Sequence, residues 1–264
     1  MTVWFCLFSS LFIFALVWAF IIEPNLLKVT RYQIKQPLLK GVKIVFASDF
    51  HLAPSHKKRL IKIIDTINAQ SPDIVLLGGD FIKNRTFQSS MSLNDMAKQF
   101  VRIQAKYGVY AVLGNHDWYV DGYKIIDVFS KINIKVLLNE NIKLSLGNIK
   151  MILSGIEDMY KRTPDLKKTL PETNLPIILL SHEPDVFSYV SKKVFLTLSG
   201  HMHGGQVRIP YLGALIVPSP MGRRFARGLF EKNGNYLLVS SGLGTSLLSV
   251  RFNACPEIVV VDFI

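Results

Sequence analysis

Cysteine is almost absent. Two occur in 264 residues, Cys6 and Cys255, which excludes a disulfide framework and a structural zinc site built on thiolates. Acidic residues are scarce too: 19 Asp and Glu face 31 Lys and Arg, a formal net charge of +12. That balance favours anionic partners such as nucleic acid, phosphorylated metabolites or acidic lipid, without choosing among them. Histidine is limited to six residues, so their positions carry information. Past the first segment there is no internal repeat and no low-complexity tract. With 49% hydrophobic and 19% charged residues the chain is neither disordered nor collagen-like, and it is long enough to bury a substantial core.

The sharpest local absence is of charge. Residues 1–22 hold none, and Thr2, Ser9 and Ser10 are their only small polar residues. As a helix this run is about 33 Å long, against a hydrocarbon core of about 30 Å. A signal peptide would carry a basic start, a shorter apolar core and a small-residue cleavage site. A soluble core helix would show one polar face. The run therefore predicts a retained transmembrane or membrane-anchor helix. Glu23-Pro24 ends it, and Lys28, Arg31, Lys35 and Lys40 follow. Positive residues beside a span stay on the cytoplasmic side, which predicts a protein of the inner cell membrane with its catalytic part in the cytoplasm. Residues 23–41 read as a linker and 42–264 as the catalytic domain.

Val42 to Ala47 is a short apolar, β-branched strand. Lys57 to Ala69 carries Leu60, Ile63, Ile64 and Ile67 on one helical stripe. Ile74 to Leu77 is a second strand, residues 93–101 a second amphipathic helix, and Val109 to Leu113 a third strand. This alternation predicts a parallel sheet. The pattern then changes to strands at 134–138, 142–146 and 149–153, expected as a meander, and at 177–180, 194–198, 236–240 and 258–263. Tyr211 to Val217 and Leu243 to Val250 read as core strands, with contact to an acyl chain as the alternative. Two sheets packed face to face with helices outside would use all of these elements.

Chemistry concentrates at the strand ends. They carry Asp49-Phe50-His51, Gly78-Gly79-Asp80, Gly114-Asn115-His116-Asp117, Ser181-His182-Glu183 and Gly200-His201-Met202-His203-Gly204-Gly205. In open α/β sheets ligands bind beyond the carboxyl ends of strands. Five of the six histidines fall in these turns; His56 is the exception. Singly, each motif has an ordinary reading: a helix cap, a tight turn, a buried histidine pair. Together, independent turn chemistry gives no reason for metal-ligating side chains to recur at five strand ends.

The order Asp-x-His, Gly-Asp, Gly-Asn-His-Asp, His, Gly-His-x-His over residues 43–204 resembles the calcineurin-like metallophosphoesterases. Gly204 to Arg208, Arg223-Arg224, Gly242-Leu243-Gly244 and Pro256-Glu257-Ile258 extend the likeness to a bacterial branch with an N-terminal hydrophobic segment, which includes UDP-2,3-diacylglucosamine hydrolases of lipid A synthesis. The departures are small: Met202 stands where Thr is frequent, and Asp117 where Glu also occurs. The resemblance implies a four-layer α/β fold, a double β-sandwich flanked by helices. It also implies a first metal on Asp49, His51 and His203, a second on Asn115, His182 and His201, and Asp80 bridging both. Such a pair activates a water for attack on a phosphoester or pyrophosphate. His116 would protonate the leaving oxygen, with Asp117 orienting its ring. Imidazole and carboxylate donors suit manganese foremost, with iron or zinc as alternatives. Arg208, Arg223, Arg224 and Arg227 are candidates to grip a second phosphate. The expected substrate is a phosphorylated amphiphile at the membrane. A general phosphodiesterase is the alternative, and the anchor argues against a nuclease, as does the lack of a basic-aromatic strand.

Overall fold

The computed structural model describes residues 2–83, 86–190 and 193–264, with Thr2, Val3, Phe5 and Cys6 described by their backbone alone. The first sheet runs, edge to edge, β1 (Lys28–Ile34), β14 (Glu257–Phe263), β2 (Lys43–Ala47), β3 (Ile74–Leu77), β4 (Val109–Ala111) and β5 (Ile134–Val136). The strands β2 to β5 are parallel; β14 joins β2 antiparallel and β1 parallel. The second sheet runs β12 (Gly228–Lys232), β13 (Asn235–Val239), β9 (Val194–Ser199), β8 (Ile177–Leu180), β7 (Ile149–Gly155) and β6 (Glu140–Leu146). A short ribbon, β10 (Arg208–Ile209) with β11 (Gly213–Ala214), stands apart.

Side-chain alternation along the strands builds the layers. On β2, Val45 and Ala47 face one way and Ile44 and Phe46 the other; on β3, Val75 and Leu77 oppose Ile74 and Leu76. The first set packs against the helices α2 (Lys57–Asn68), α3 (Leu93–Phe100) and α5 (Gly122–Ser130). The stripe Leu60, Ile63, Ile64 and Ile67 of α2 is fully buried there. The second set meets Leu153, Ile178, Leu180 and Leu196 of the facing sheet. The outer face of that sheet, with Ile152, Ile177 and Leu179, is covered by the turn around Val186 and by the short helix Leu166–Thr169 with Leu170 after it. The architecture is the expected four-layer sandwich. Strands buried on both faces need continuous apolar runs, which explains their legibility.

Three expectations are corrected. The 23–41 stretch is not a linker: it contains β1, which pairs along its length with β14. Residues 134–153 are not a meander, because β5 completes the first sheet while β6 and β7 form a hairpin in the second. Tyr211 to Val217 and Leu243 to Val250 are not core strands. Tyr211, Leu212, Leu215, Ile216, Leu247 and Leu248 are exposed, and only Gly213–Ala214 forms a strand.

The N-terminal helix α1 (Thr2–Val17) carries exposed Trp4, Phe8, Leu11, Phe12 and Phe14. It continues through a π-turn, Trp18–Ile22, and a 3-10 turn, Glu23–Asn25. The stretch Leu7–Asn25 is long and apolar enough for a membrane span or a signal sequence. Its end is docked on the domain. The Glu23 carboxylate is buried, accepting from the Trp18 indole at 2.7 Å and from the backbone N–H groups of Asn253 at 2.9 Å and Ala254 at 2.5 Å.

Candidate metal centre

The chain leaves five strands by abrupt turns. Asp49, His51, Asp80, His201 and His203 all have positive φ, between 43° and 66°. Non-glycine residues rarely adopt this left-handed region, and its clustering marks functional sites. The turns throw their side chains toward one point at the carboxyl ends of β2, β3, β4, β8 and β9. Close approach leaves no space beside Gly114: a Cβ there would lie 2.6 Å from the His182 ring and would collide with Asp80.

Two donor groups result. Asp49, His51, Asp80 and His203 form one, Asp80, His182 and His201 the other, each with donor atoms within 4.8 Å of one another. Asp80 belongs to both. Its Oδ2 lies 3.4 Å from His51 Nε2 and 3.4 Å from His182 Nε2. His203 Nε2 is 3.1 Å from His51 Nε2 and 3.6 Å from Asp49 Oδ1. His201 Nδ1 is 3.2 Å from His182 Nε2. The outer nitrogens of three rings meet backbone carbonyls: His51 Nδ1 that of Ile82 at 3.1 Å, His182 Nδ1 that of Gly78 at 2.7 Å, His201 Nε2 that of Pro218 at 2.8 Å. Such partners assign the outer proton and leave the inner nitrogen free to ligate. Asn115 Oδ1 is buried without a hydrogen-bond partner, a state that a cation would relieve. The donor set fits divalent metal ions.

Burial sets the protonation of this centre. It pushes Asp49 up to about 6, aided by the Asp80 charge, and His51 down to about 3 against the pull of Asp80. It pushes His201 down to about 4, with His182 contributing. His182 goes the other way: burial would lower it, but the Asp80 charge and hydrogen bond hold it well above the usual range. Burial would raise Asp80, and His182 holds it well below. Negative charge is thus concentrated on the carboxylate shared by both groups.

His116 sits at the edge of this cluster. Its ring is edge-on to His51 with centroids 4.7 Å apart, its backbone N–H donates to Asp80 Oδ1 at 2.9 Å, and its ring Nδ1 has no partner. Asp117 does not orient that ring. Its carboxylate accepts from the backbone N–H groups of Asp80, Phe81, Ile82 and Gly114 at 2.8 to 3.1 Å. Asp117 therefore braces two ligand-bearing turns against each other. Burial and the Asp80 charge push it up to about 7.

Residues 42–205 match the family described as calcineurin-like phosphoesterase. The chain belongs to that family. It is 33% identical to the metallophosphoesterase YkuE of Bacillus subtilis (strain 168), over 90% of this chain and 86% of that protein. It is 29% identical to the UDP-2,3-diacylglucosamine pyrophosphatase LpxG of Chlamydia muridarum, covering 93% of this chain and 92% of that one. The phosphodiesterase YaeI of Escherichia coli (strain K12) is 28% identical over 92% and 90%. This calcineurin-like protein is a metal-dependent hydrolase, and the family together with the ligand cluster points to a dinuclear divalent centre.

The centre opens into a cavity of about 410 Å³, whose lining includes Asp80, Asn115, His116, His201 and His203 together with Leu215, Ile216, Leu247, Leu248 and Val250. Among the described residues no arginine lines it. Arg208 donates to the Gly204 carbonyl at 3.1 Å. Arg223 donates to the Leu212 carbonyl, Arg224 lies over the Phe225 ring, and Arg227 donates to the Asn253 carbonyl. These three are not brought to the metal centre. Nor is His56, whose Nδ1 accepts from the Ala53 N–H.

Sequence reasoning missed the supports. The Ser48 hydroxyl donates to Asp49 Oδ2 at 2.6 Å; adjacency to the motif was its only signal. Arg251 is fully buried and donates to the carbonyls of Ser241, Gly242 and Ala254. It holds the turn whose Gly242, at φ 67°, lies against Asp49. Nothing local distinguishes Arg251 from a surface arginine.

Proposed function

We propose that this protein is a membrane-anchored phosphohydrolase acting on a phosphorylated amphiphile such as UDP-2,3-diacylglucosamine, which it would cleave at the pyrophosphate to release UMP. The observation that carries the reading is the mixed lining of the cavity, where the ligand residues share one space with the apolar Leu215, Ile216, Leu247 and Leu248. The likeness to LpxG agrees with it. Asp49, His51 and His203 would hold one ion, Asn115, His182 and His201 the other, with Asp80 between them. Manganese is the ion expected first, iron or zinc next. Such a pair supplies charge for a phosphoryl group and an acidified water. The protein's own residues do the rest. His116, beside ligand Asn115 and with a free ring nitrogen, gives a proton to the leaving oxygen. The Asp117 carboxylate fixes the turns that carry Asp80 and Asn115. The basic residues after the apolar run favour a domain on the cytoplasmic side.

General phosphodiesterase activity on a soluble diester is the second reading, favoured by the likeness to YaeI. Purified full-length protein with manganese, assayed in parallel on UDP-2,3-diacylglucosamine in mixed micelles, bis-p-nitrophenyl phosphate and single-stranded DNA, separates the two. The expected outcome is the highest kcat/KM on the acylated nucleotide, abolished by chelation. Higher turnover of the soluble diester would overturn the lipid substrate in favour of the second reading. Preference for DNA would overturn both.

A further inference from the structure

The anchor and the cavity share one stretch of backbone. The Arg251 N–H donates to the Ala19 carbonyl at 2.9 Å, tying the foot of the apolar helix to the end of loop 246–250. The Phe252 N–H donates to the Gln206 carbonyl at 2.8 Å, the Arg208 N–H returns to the Phe252 carbonyl at 2.9 Å, and the Ser246 N–H meets Gln206 Oε1 at 2.5 Å. The chain from Gln206 runs directly into loop 209–217. Helix foot, loop 246–250 and loop 209–217 are therefore one hydrogen-bonded assembly.

Apolar side chains are exposed on each part of it. From Leu11 to Ile22 the sequence has no charged residue and no Ser, Thr, Asn or Gln. Phe20 and Ile21 remain exposed although the turn containing them is docked on the domain. No polar spacer separates helix from domain, so hydrocarbon that covers Phe20 and Ile21 reaches the domain surface. In the two loops tied to the foot Leu247 and Tyr211 are fully exposed, and Leu212, Ile216 and Leu248 largely so. Large contiguous apolar patches on a folded surface mark interaction sites. The charge of the surroundings selects the partner. Exposed Lys28 and Arg227 line a cleft on one side of the helix foot, and Lys58 and Lys62 a cleft on another. Basic residues at this level match anionic headgroups.

We propose that loops 209–217 and 246–250 form a second membrane contact that dips into the lipid interface beside the anchor and seats the mouth of the metal cavity on the bilayer. Leu215, Ile216, Leu247 and Leu248 serve as both rim and cavity wall, so a lipid-borne substrate passes from the bilayer to the metals without crossing water. The proposal rests on the reading of residues 1–22 as a retained anchor.

The test uses the full chain carrying Cys6→Ser and Cys255→Ser, reconstituted into vesicles of phosphatidylethanolamine and phosphatidylglycerol. An environment-sensitive fluorophore is attached at Leu247→Cys, at Leu212→Cys, or at Lys143→Cys on edge strand β6 as a control. Flotation with the vesicles in high salt reports the anchor alone. Lipids bearing a nitroxide just below the headgroup report the loops, and both loop labels are expected to lose half or more of their emission while the control keeps its own. If the chain floats but the loop labels behave as the control does, the second contact is overturned and the anchor stands. A blue shift without nitroxide quenching also overturns it, since protein rather than lipid then covers the loops. A chain that does not float overturns the anchor and the proposal with it.

Discussion

His116 and Asp117 are neighbours with divergent roles. One lines the cavity and keeps a buried ring nitrogen without a partner; the other turns inward to four backbone N–H groups. His116→Ala should lower kcat by about 10²–10⁴, the range for a proton-transfer group, while elemental analysis finds the metal content kept. Asp117→Ala should lose metal as well as activity, because four buried donors lose their acceptor and the turns bearing Asp80 and Asn115 come apart. Metal loss in His116→Ala with retention in Asp117→Ala would reverse the two roles. The sequence marked both residues through the Gly-Asn-His-Asp motif. It did not distinguish them, because both lie in the first turn of one short helix and only the neighbouring turn at residues 80–82 decides which side chain is drawn inward.

At the scale of elements, the helix foot is a structural part of the domain rather than a tether. Glu23 joins segments 230 residues apart in sequence. Glu23→Ala should destabilise the protein by about 2 kcal/mol, in line with charged hydrogen bonds to buried donors, as measured by urea unfolding in detergent. Unchanged stability would make the foot a loose attachment. The strand β1, KVTRYQI, was not legible: its apolar residues do not alternate cleanly, and Lys28 and Arg31 interrupt it. It becomes a strand because β14 offers a free edge at the far end of the chain. By contrast α2 was legible to within a residue, since its stripe repeats at the helical period over three turns.

At the scale of the molecule, Lys28, Arg31, Lys35 and Lys40 follow closely on the apolar run, and no basic residue precedes it. They predict a domain held on the cytoplasmic face. In cells expressing the full chain with Cys6→Ser and Cys255→Ser, Lys150→Cys should react with a membrane-impermeant maleimide only after the cells are broken. Labelling of intact cells would place the domain outside.

The amino-acid sequence alone determined the inventory of the site and the presence of the apolar run. Metal-ligating side chains cluster in short contiguous motifs, and a span of hydrocarbon length is a local property. Tertiary structure decided the sharing of Asp80 by two donor groups, the bracing by Asp117 and Arg251, the capture of residues 23–41 into a sheet, and the exposure of loops 209–217 and 246–250 at the cavity mouth. Each of these depends on contacts between distant parts of the chain. An apolar loop and an apolar core strand have the same composition, and only the packing around them determines which one is left facing outward.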